Sequence, residues 1–406
     1  MSRILVVCVK FSTDAANGWL TNDLVDAFVR AGHTVDVIHL EWQDEHPVEF
    51  VTTPDGTRLL RLSALAFFPR WLPYTVRKGA KWLTASYLAA RLARRFMPPE
   101  SYDLLVGFSP AVVTDGLIRL YRQRAKKTLL IYWDFFPLAQ HQLGLLPGGD
   151  VAASLARRFE ARAVGQYAQT GCMTPANIQL FGTYFPKYAG AITQILPWGP
   201  ASFIDRSRRD EFRKNFGFAA DDVVCVFGGQ LIPGREIERI GELAQRVAKT
   251  LPHVRFVIAG SGPLAALIER QAADLPNLEF LGKLSRVRYG ELLAAGDIGI
   301  VLTSADFKVP NFPSKTVDYF RARLPVLGAT EKFGDYSSII NNEIGAGLSC
   351  SVEDTAQLEK NLHMLACDPS YRLACGQRGA DYYQTHMSAP NLVKRLIGEA
   401  ACPGIC

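Results

Sequence analysis

Three loops in the second half of the chain carry residue types suited to holding an anion. Gly228-Gly-Gln-Leu-Ile-Pro-Gly-Arg235 follows an apolar run and precedes a helical pattern over 236–248. Glycines let backbone amides approach an anion, and a helix start favours negative charge. The planar fork of Arg235 suits a diphosphate, with Gly229 and Gln230 beside it. Phe312-Pro-Ser-Lys-Thr-Val-Asp-Tyr-Phe320 reads as a second helix start, where free amides, Ser314 and Lys315 form another cradle. Asp318, one turn further on, is placed to accept hydrogen bonds from a ribose diol; a solvated Asp318 behind a plain helix cap fits the same residues. Gly260-Ser-Gly-Pro263 is a turn that any strand-to-helix connection can show. Two anion cradles in one half point to a nucleotide diphosphate rather than a single phosphate.

The first half offers carboxylates. Asp134 lies among aromatics in Tyr132-Trp-Asp-Phe-Phe-Pro137, at the end of an apolar run. Such a group can act as a base or orient a substrate hydroxyl. His141 is its candidate partner, or a surface histidine. Glu160, in Arg157-Arg-Phe-Glu160, is a second cleft carboxylate or one half of a helix-surface ion pair. No HExxH and no paired His/Cys spacing occurs, so no metal and no resident cofactor is expected. Charge on a leaving diphosphate would fall to Arg235, Lys315 and backbone amides. The eight cysteines form no CxxC pair and fit a reducing compartment, with Cys402 and Cys406 read as terminal thiols.

The remaining composition narrows the class. With 406 residues, 48% of them hydrophobic and 21% charged, the chain is neither disordered, collagen-like nor a coiled coil. The net charge of +6 lies wholly in residues 1–200, which hold 21 Lys and Arg against 15 Asp and Glu, whereas 201–406 hold 24 of each. From Arg58 to Pro99 there are nine basic residues and no acid. Their interleaving with Trp, Phe and Leu suits a bilayer interface, with Arg70, Trp71, Arg77, Lys78, Lys81 and Trp82 as the acceptor or membrane face. Two ordinary packed helices are the alternative. No nucleic-acid recognition motif is present, so no nucleic-acid partner is expected. The apolar run Ile4–Val9 is too short for a signal-peptide core, and no stretch reaches about 18 uninterrupted apolar residues. The expected location is cytoplasmic, peripheral on the inner face of the membrane.

These residues need a scaffold, and the pattern supplies one. Ile4–Val9, Val35–Leu40, Leu104–Phe108 and Leu129–Tyr132 read as buried parallel strands separated by helices. Val223–Phe227, Phe256–Ala259, Leu278–Leu281, Ile298–Leu302 and Pro325–Leu327 restart the series. The expected architecture is α/β, two Rossmann-like doubly wound domains facing a cleft. Residues 1–196 form the first domain, 197–222 a linker and 223–385 the second. Residues 386–406 form a helix and tail able to pack back on the first domain.

The chain resembles the retaining GT-B glycosyltransferases of family 4, which serve bacterial capsule, exopolysaccharide and lipopolysaccharide synthesis. Gly229-Gln-Leu-Ile-Pro-Gly-Arg235 looks like the family's G-R-L-x-x-x-K, and Phe256-Val-Ile-Ala-Gly-Ser-Gly-Pro263 like its strand followed by GxGP. Phe312-Pro-Ser-Lys-Thr-Val-Asp-Tyr-Phe320, with Pro325-Val326 beyond it, is similar to the P-S-K-x-x-E-Y form of fucosaminyl- and colanic-acid-type transferases; Asp134-Phe-Phe-Pro137 resembles that subgroup's D-L-W-P. The resemblance implies that Arg235, Ser314 and Lys315 hold the donor diphosphate and Asp318 the ribose. It also implies that the backbone of Gly282, Lys283 and Leu284 reads the nucleobase. Gln230 stands where an Arg is usual, Pro310 where the first Glu of an E-x7-E pair would fall, and Ala15-Ala16 where a Gly-Gly loop is expected.

The expected activity is transfer of a sugar from a UDP- or GDP-type donor to a lipid-linked or glycan acceptor, with retention and without metal. A catalytically degenerate nucleotide-sugar binder and a GT-B nucleotide-sugar 2-epimerase are the alternatives.

Overall fold

In the computed structural model the described residues are 1–14, 18–42, 46–69, 71–142, 144, 146 and 148–398, apart from the side chains of Tyr74, Thr75, Lys78, Gly79 and Leu83. Ala15-Ala16, Arg70, the Lys78 side chain, Cys402 and Cys406 therefore lie outside them. The chain divides into two compact units, Met1–Leu196 with the segment from Ala389, and Pro197–Ser388.

The first unit is built on an eight-stranded sheet in the order β3-β4-β2-β1-β5-β6-β7-β8. The strands are β1 (Arg3–Cys8), β2 (Thr34–Glu41), β3 (Glu49–Thr52), β4 (Arg58–Ser63), β5 (Tyr102–Phe108), β6 (Ala125–Ile131), β7 (Gln169–Cys172) and β8 (Ile192–Gln194). All pairings are parallel except β3 with β4. Burial on both faces explains why β1 and β5 read as unbroken apolar runs. β4 escaped sequence reading because arginines interrupt it. Arg58 pairs with Asp36 (2.6 Å) and Glu100 (3.1 Å), and Arg61 with Glu49 (2.7 Å), so the acid-free segment begins as a charge-balanced strand. The helix Ala389–Ile397 belongs to this unit and packs beside the helix Leu20–Arg30.

The second unit has a six-stranded, all-parallel sheet in the order β11-β10-β9-β12-β13-β14. Its strands are β9 (Val223–Gln230), β10 (Val254–Ser261), β11 (Leu278–Phe280), β12 (Ile298–Leu302), β13 (Val326–Thr330) and β14 (Gly347–Ser351). Residues 197–222, expected as a linker, belong to this unit. The Arg213 guanidinium is buried there, donating to the carbonyls of Ala295 (3.1 Å) and Asp222 (2.8 Å) and to Asp297 (3.1 Å). Among the described residues no helix is long and apolar enough to cross a membrane.

Candidate functional site

In parallel α/β sheets ligands bind beyond the carboxyl ends of the strands, and the residues expected to hold the donor gather there in the second unit. β9 ends in Gly228-Gly229-Gln230. Gly229 has φ +146°, a backbone conformation natural only to glycine. A Cβ at that position would lie 3.7 Å from Lys315 Nζ. Lys315 is the first residue of the helix Lys315–Arg321, and its ammonium stands 3.8 Å from the centre of the Phe227 ring. Burial, and the neighbouring Arg235 guanidinium, push Lys315 down to about 7. Two cations thus converge beside the last residues of β9.

The loop bearing Arg235 is anchored at its base. Leu231 N–H donates to Ser261 O (2.9 Å), and Leu264 N–H donates to Leu231 O (3.0 Å). This accounts for the glycines after β10. A Cβ at Gly260 would sit 2.0 Å from Gly229 O, and one at Gly262 2.3 Å from Leu231 O. The Lys315 helix is fixed equally firmly, since Tyr319 Oη donates to Ile300 O (2.9 Å) and Val226 O (3.1 Å). Ser314 is exposed. The expected cradle of free amides is narrowed at this helix. Thr316 N–H is taken by Pro313 O (3.0 Å) and Val317 N–H by Ser314 O (3.1 Å), which leaves the N–H groups of Ser314 and Lys315 beside the side-chain charge.

Asp318, half-buried one turn on from Ser314, pairs with Arg321 (3.1 Å). Its crowded surroundings push its carboxyl up, opposed by the charges of Arg321 and Arg286. Arg286, unflagged in the sequence, opens the helix Arg286–Ala295 just past Gly282, Lys283 and Leu284. Gly282 O accepts from Gly260 N–H (2.8 Å), which sets this segment beside the end of β10; Lys283 is exposed and Leu284 half-buried. Gln230 is exposed. Glu331 also went unnoticed in the sequence. Buried just beyond β13, it accepts the Thr303 hydroxyl on Oε2 and stands by Pro310 across Gly334.

In the first unit Asp134 is exposed just past the carboxyl end of β6. Its N–H and that of Trp133 both donate to Ser109 Oγ (2.9 and 3.1 Å), which ties the loops after β5 and β6 together. His141 has a carboxylate partner other than the one expected: its Nε2 lies 2.9 Å from Asp150.

Glu160 is neither a cleft carboxylate nor half of a surface ion pair. It is fully buried, and its two oxygens accept the N–H groups of Ala111 and Val112 (both 2.8 Å), just past Ser109. Burial raises it to about 7 against the lowering effect of those bonds. A carboxyl raised in the folded state makes stability fall as pH rises from its unfolded value through about 7, because the folded state then holds more protons than the unfolded one. Glu160→Gln abolishes that titration but sets an NH2 group against an N–H. Urea denaturation from pH 5 to 8 is expected to show a loss of about 1–3 kcal/mol at pH 5, narrowing towards pH 8.

The acceptor or membrane face also requires correction. Arg77 and Lys81 are only 7% and 4% exposed. Arg77 donates to Leu65 O (3.1 Å) and Lys81 to Trp42 O (2.6 Å), with the Lys81 ammonium over the Trp42 ring. Trp82 stacks on Phe136 at 5.0 Å, beside Asp134. Trp71 alone of the described side chains in that set is open, at 80% exposure.

Residues 208–382 match the family described as Glycosyl transferases group 1. No curated protein matches the chain. Among solved structures it is similar to a sucrose-phosphate synthase from Thermosynechococcus elongatus (TM-score 0.71, 15% identity, covering 98% of this chain and 100% of that one). It is also similar to a UDP-forming trehalose-phosphate synthase from Burkholderia xenovorans (TM-score 0.70, 11% identity, 98% of each chain). A third is HepE from Anabaena in complex with UDP and glucose (TM-score 0.63, 15% identity, 98% of this chain and 100% of that one). The fold is the glycosyltransferase GT-B fold of two Rossmann-like domains.

Proposed function

We propose that this chain is a glycosyltransferase that takes a sugar from a nucleoside-diphosphate donor and places it, with retention, on a glycan or lipid-linked acceptor, in the manner of the family 4 enzymes it resembles. The observation that carries this reading is the convergence of Lys315 and Arg235 at the glycine end of β9, within the segment that matches a glycosyl transferase family. Support for the ligand comes from HepE, solved with UDP and glucose, and from the UDP-forming synthase.

In the reaction, the bond between the anomeric carbon and the diphosphate oxygen breaks and the electron pair leaves with the nucleotide. The acceptor hydroxyl oxygen bonds that carbon, and its proton passes to a base and then to water. Lys315 and Arg235 neutralise the departing diphosphate through side-chain charge. Asp318 and Arg286 are assigned to the ribose end, and the Gly282–Leu284 segment to the base. Asp134 orients or deprotonates the acceptor hydroxyl, on a wall built from Trp82 and Phe136.

The test is incubation with UDP-, GDP- and TDP-sugars, with and without lipid-linked acceptor, following nucleotide release. Acceptor-dependent release is expected. Asp134→Asn should lower kcat by roughly 10²–10⁴-fold with donor binding unchanged, the range for a lost general base. Conversion of the donor without acceptor would identify an epimerase instead, and nucleotide binding without any turnover a degenerate relative.

A further inference from the structure

We propose a second anion site, in the first unit: a phosphate-binding pocket formed by Arg91, Arg94 and Arg119. It is independent of the transferase reading. The pocket is about 370 Å³ and lies between the helices Tyr74–Phe96 and Asp115–Tyr121, with Ala90, Gly116 and Leu120 completing its lining. Small residues create it. At Gly116 the two helices touch so closely that a Cβ would come within 2.6 Å of the Ser86 backbone, and the close crossing leaves a trough alongside. Arg91 and Arg94 are three residues apart on one helix face, so both border the trough from the same side.

The electrostatics there are unbalanced. Arg119 Nε donates to Asp115 Oδ2 (2.9 Å), and the same oxygen takes the Tyr87 hydroxyl (2.6 Å). Asp115 is buried, with both of these bonds on Oδ2 and no hydrogen-bond partner for Oδ1 among the described residues, so it brings one negative charge to the three guanidiniums. Arg119 Nη2 is buried and has no hydrogen-bond partner among the described residues. Arg91 and Arg94 are exposed, and no carboxylate pairs with either among the described residues. Three guanidiniums beside one carboxylate leave an excess of positive charge, which is complemented by a group of high negative charge with several acceptor oxygens. A phosphate carries about −1.5 to −2 charge and three such oxygens, which match planar forks of donors. With Arg77 and Lys81 buried, the open basic charge of the acid-free segment lies, among the described side chains, at its carboxyl-terminal end. Tyr87 (48% exposed) and Phe96 (37% exposed) stand on that same helix. The phosphate has two possible sources, a soluble phosphate ester or a phospholipid head group.

The experiment uses the full chain carrying Arg235→Ala, which disables the donor cradle, and compares it with the same chain bearing Arg91→Gln and Arg94→Gln in addition. Calorimetry with inorganic phosphate is run against chloride at equal ionic strength. Sedimentation is run with vesicles of phosphatidylcholine alone and of phosphatidylcholine with phosphatidylglycerol at 7:3. An equal charge change on a different helix, Arg158→Gln with Arg162→Gln, is the control. At least tenfold weaker binding in the Arg91/Arg94 variant, with the control unchanged, is expected in one arm or both. Loss in the phosphate arm assigns a soluble ester, and loss in the vesicle arm alone assigns a head group. No binding above chloride and neutral vesicles, or equal loss in the control, overturns the site.

Discussion

Lys315→Met is expected to weaken nucleoside-diphosphate binding by roughly ten- to 150-fold, the effect of losing one charged hydrogen bond of about 1.5–3 kcal/mol. The methionine keeps an apolar stem against Phe227, so the loss reports on charge rather than packing. A pH signature accompanies it. With the ammonium pushed down to about 7, the empty wild-type site holds a neutral amine above that pH and must take up a proton to meet an anion. Wild-type affinity should therefore fall as pH rises past about 7, while Lys315→Arg holds its affinity across that range because a guanidinium stays charged. Stability moves the other way. A lysine lowered by folding binds fewer protons folded than unfolded, so its destabilising effect is fully present below about 7 and fades as pH rises towards the unfolded value. Lys315→Met should consequently melt higher than wild type at pH 6, with the gap closing at high pH. Titration calorimetry with UDP and thermal melts over pH 6–9 check both. Unchanged affinity in Lys315→Met would remove the diphosphate from this site.

Gly260→Ala is expected to cost about 2–4 kcal/mol of stability, at the severe end for a single methyl group. The added carbon would lie 2.0 Å from Gly229 O, and both atoms belong to the paired ends of β9 and β10, so neither can yield as a side-chain tip would. Relief requires the strand ends to part, which shifts Gly229 beneath Lys315 and the Leu231 anchor of the Arg235 loop. Loss of nucleotide binding should therefore accompany loss of stability. Urea melts of the intact chain, with UDP binding measured well below the melting midpoint, test this. A variant as stable as wild type would mean that the two strand ends are not held together as described.

The fold was legible where residues announce themselves locally. β1, β5, β9 and β12 are buried on both faces and appear as apolar runs, and the glycines of 228–229 and 260–262 mark where the strands end. Other features depend on partners distant in the chain. β4 carries arginines at 58 and 61 among its leucines, and these are matched by Asp36, Glu100 and Glu49. Arg77 and Lys81 look unopposed when only charged residues are counted, yet main-chain carbonyls at Leu65 and Trp42 hold them. Glu160 reads as a helix-surface residue until the loop after β5 folds over it. The Lys315–Phe227 contact joins residues nearly ninety positions apart, and nothing local to either one signals it. Arg286 and Glu331 come to their places only once β11 and β13 stand beside their neighbours.

The helix Ala389–Ile397 completes the first unit, although it is encoded after the whole of the second. During synthesis Met1–Leu196 leaves the ribosome without that element, and the helix Leu20–Arg30 waits for its neighbour until Pro197–Ser388 has been made. The unit that starts first is thus finished last. A stop codon placed just before Ala389 would leave the later-made half intact and the earlier-made half short of one packing surface, so late truncations injure the beginning of the protein.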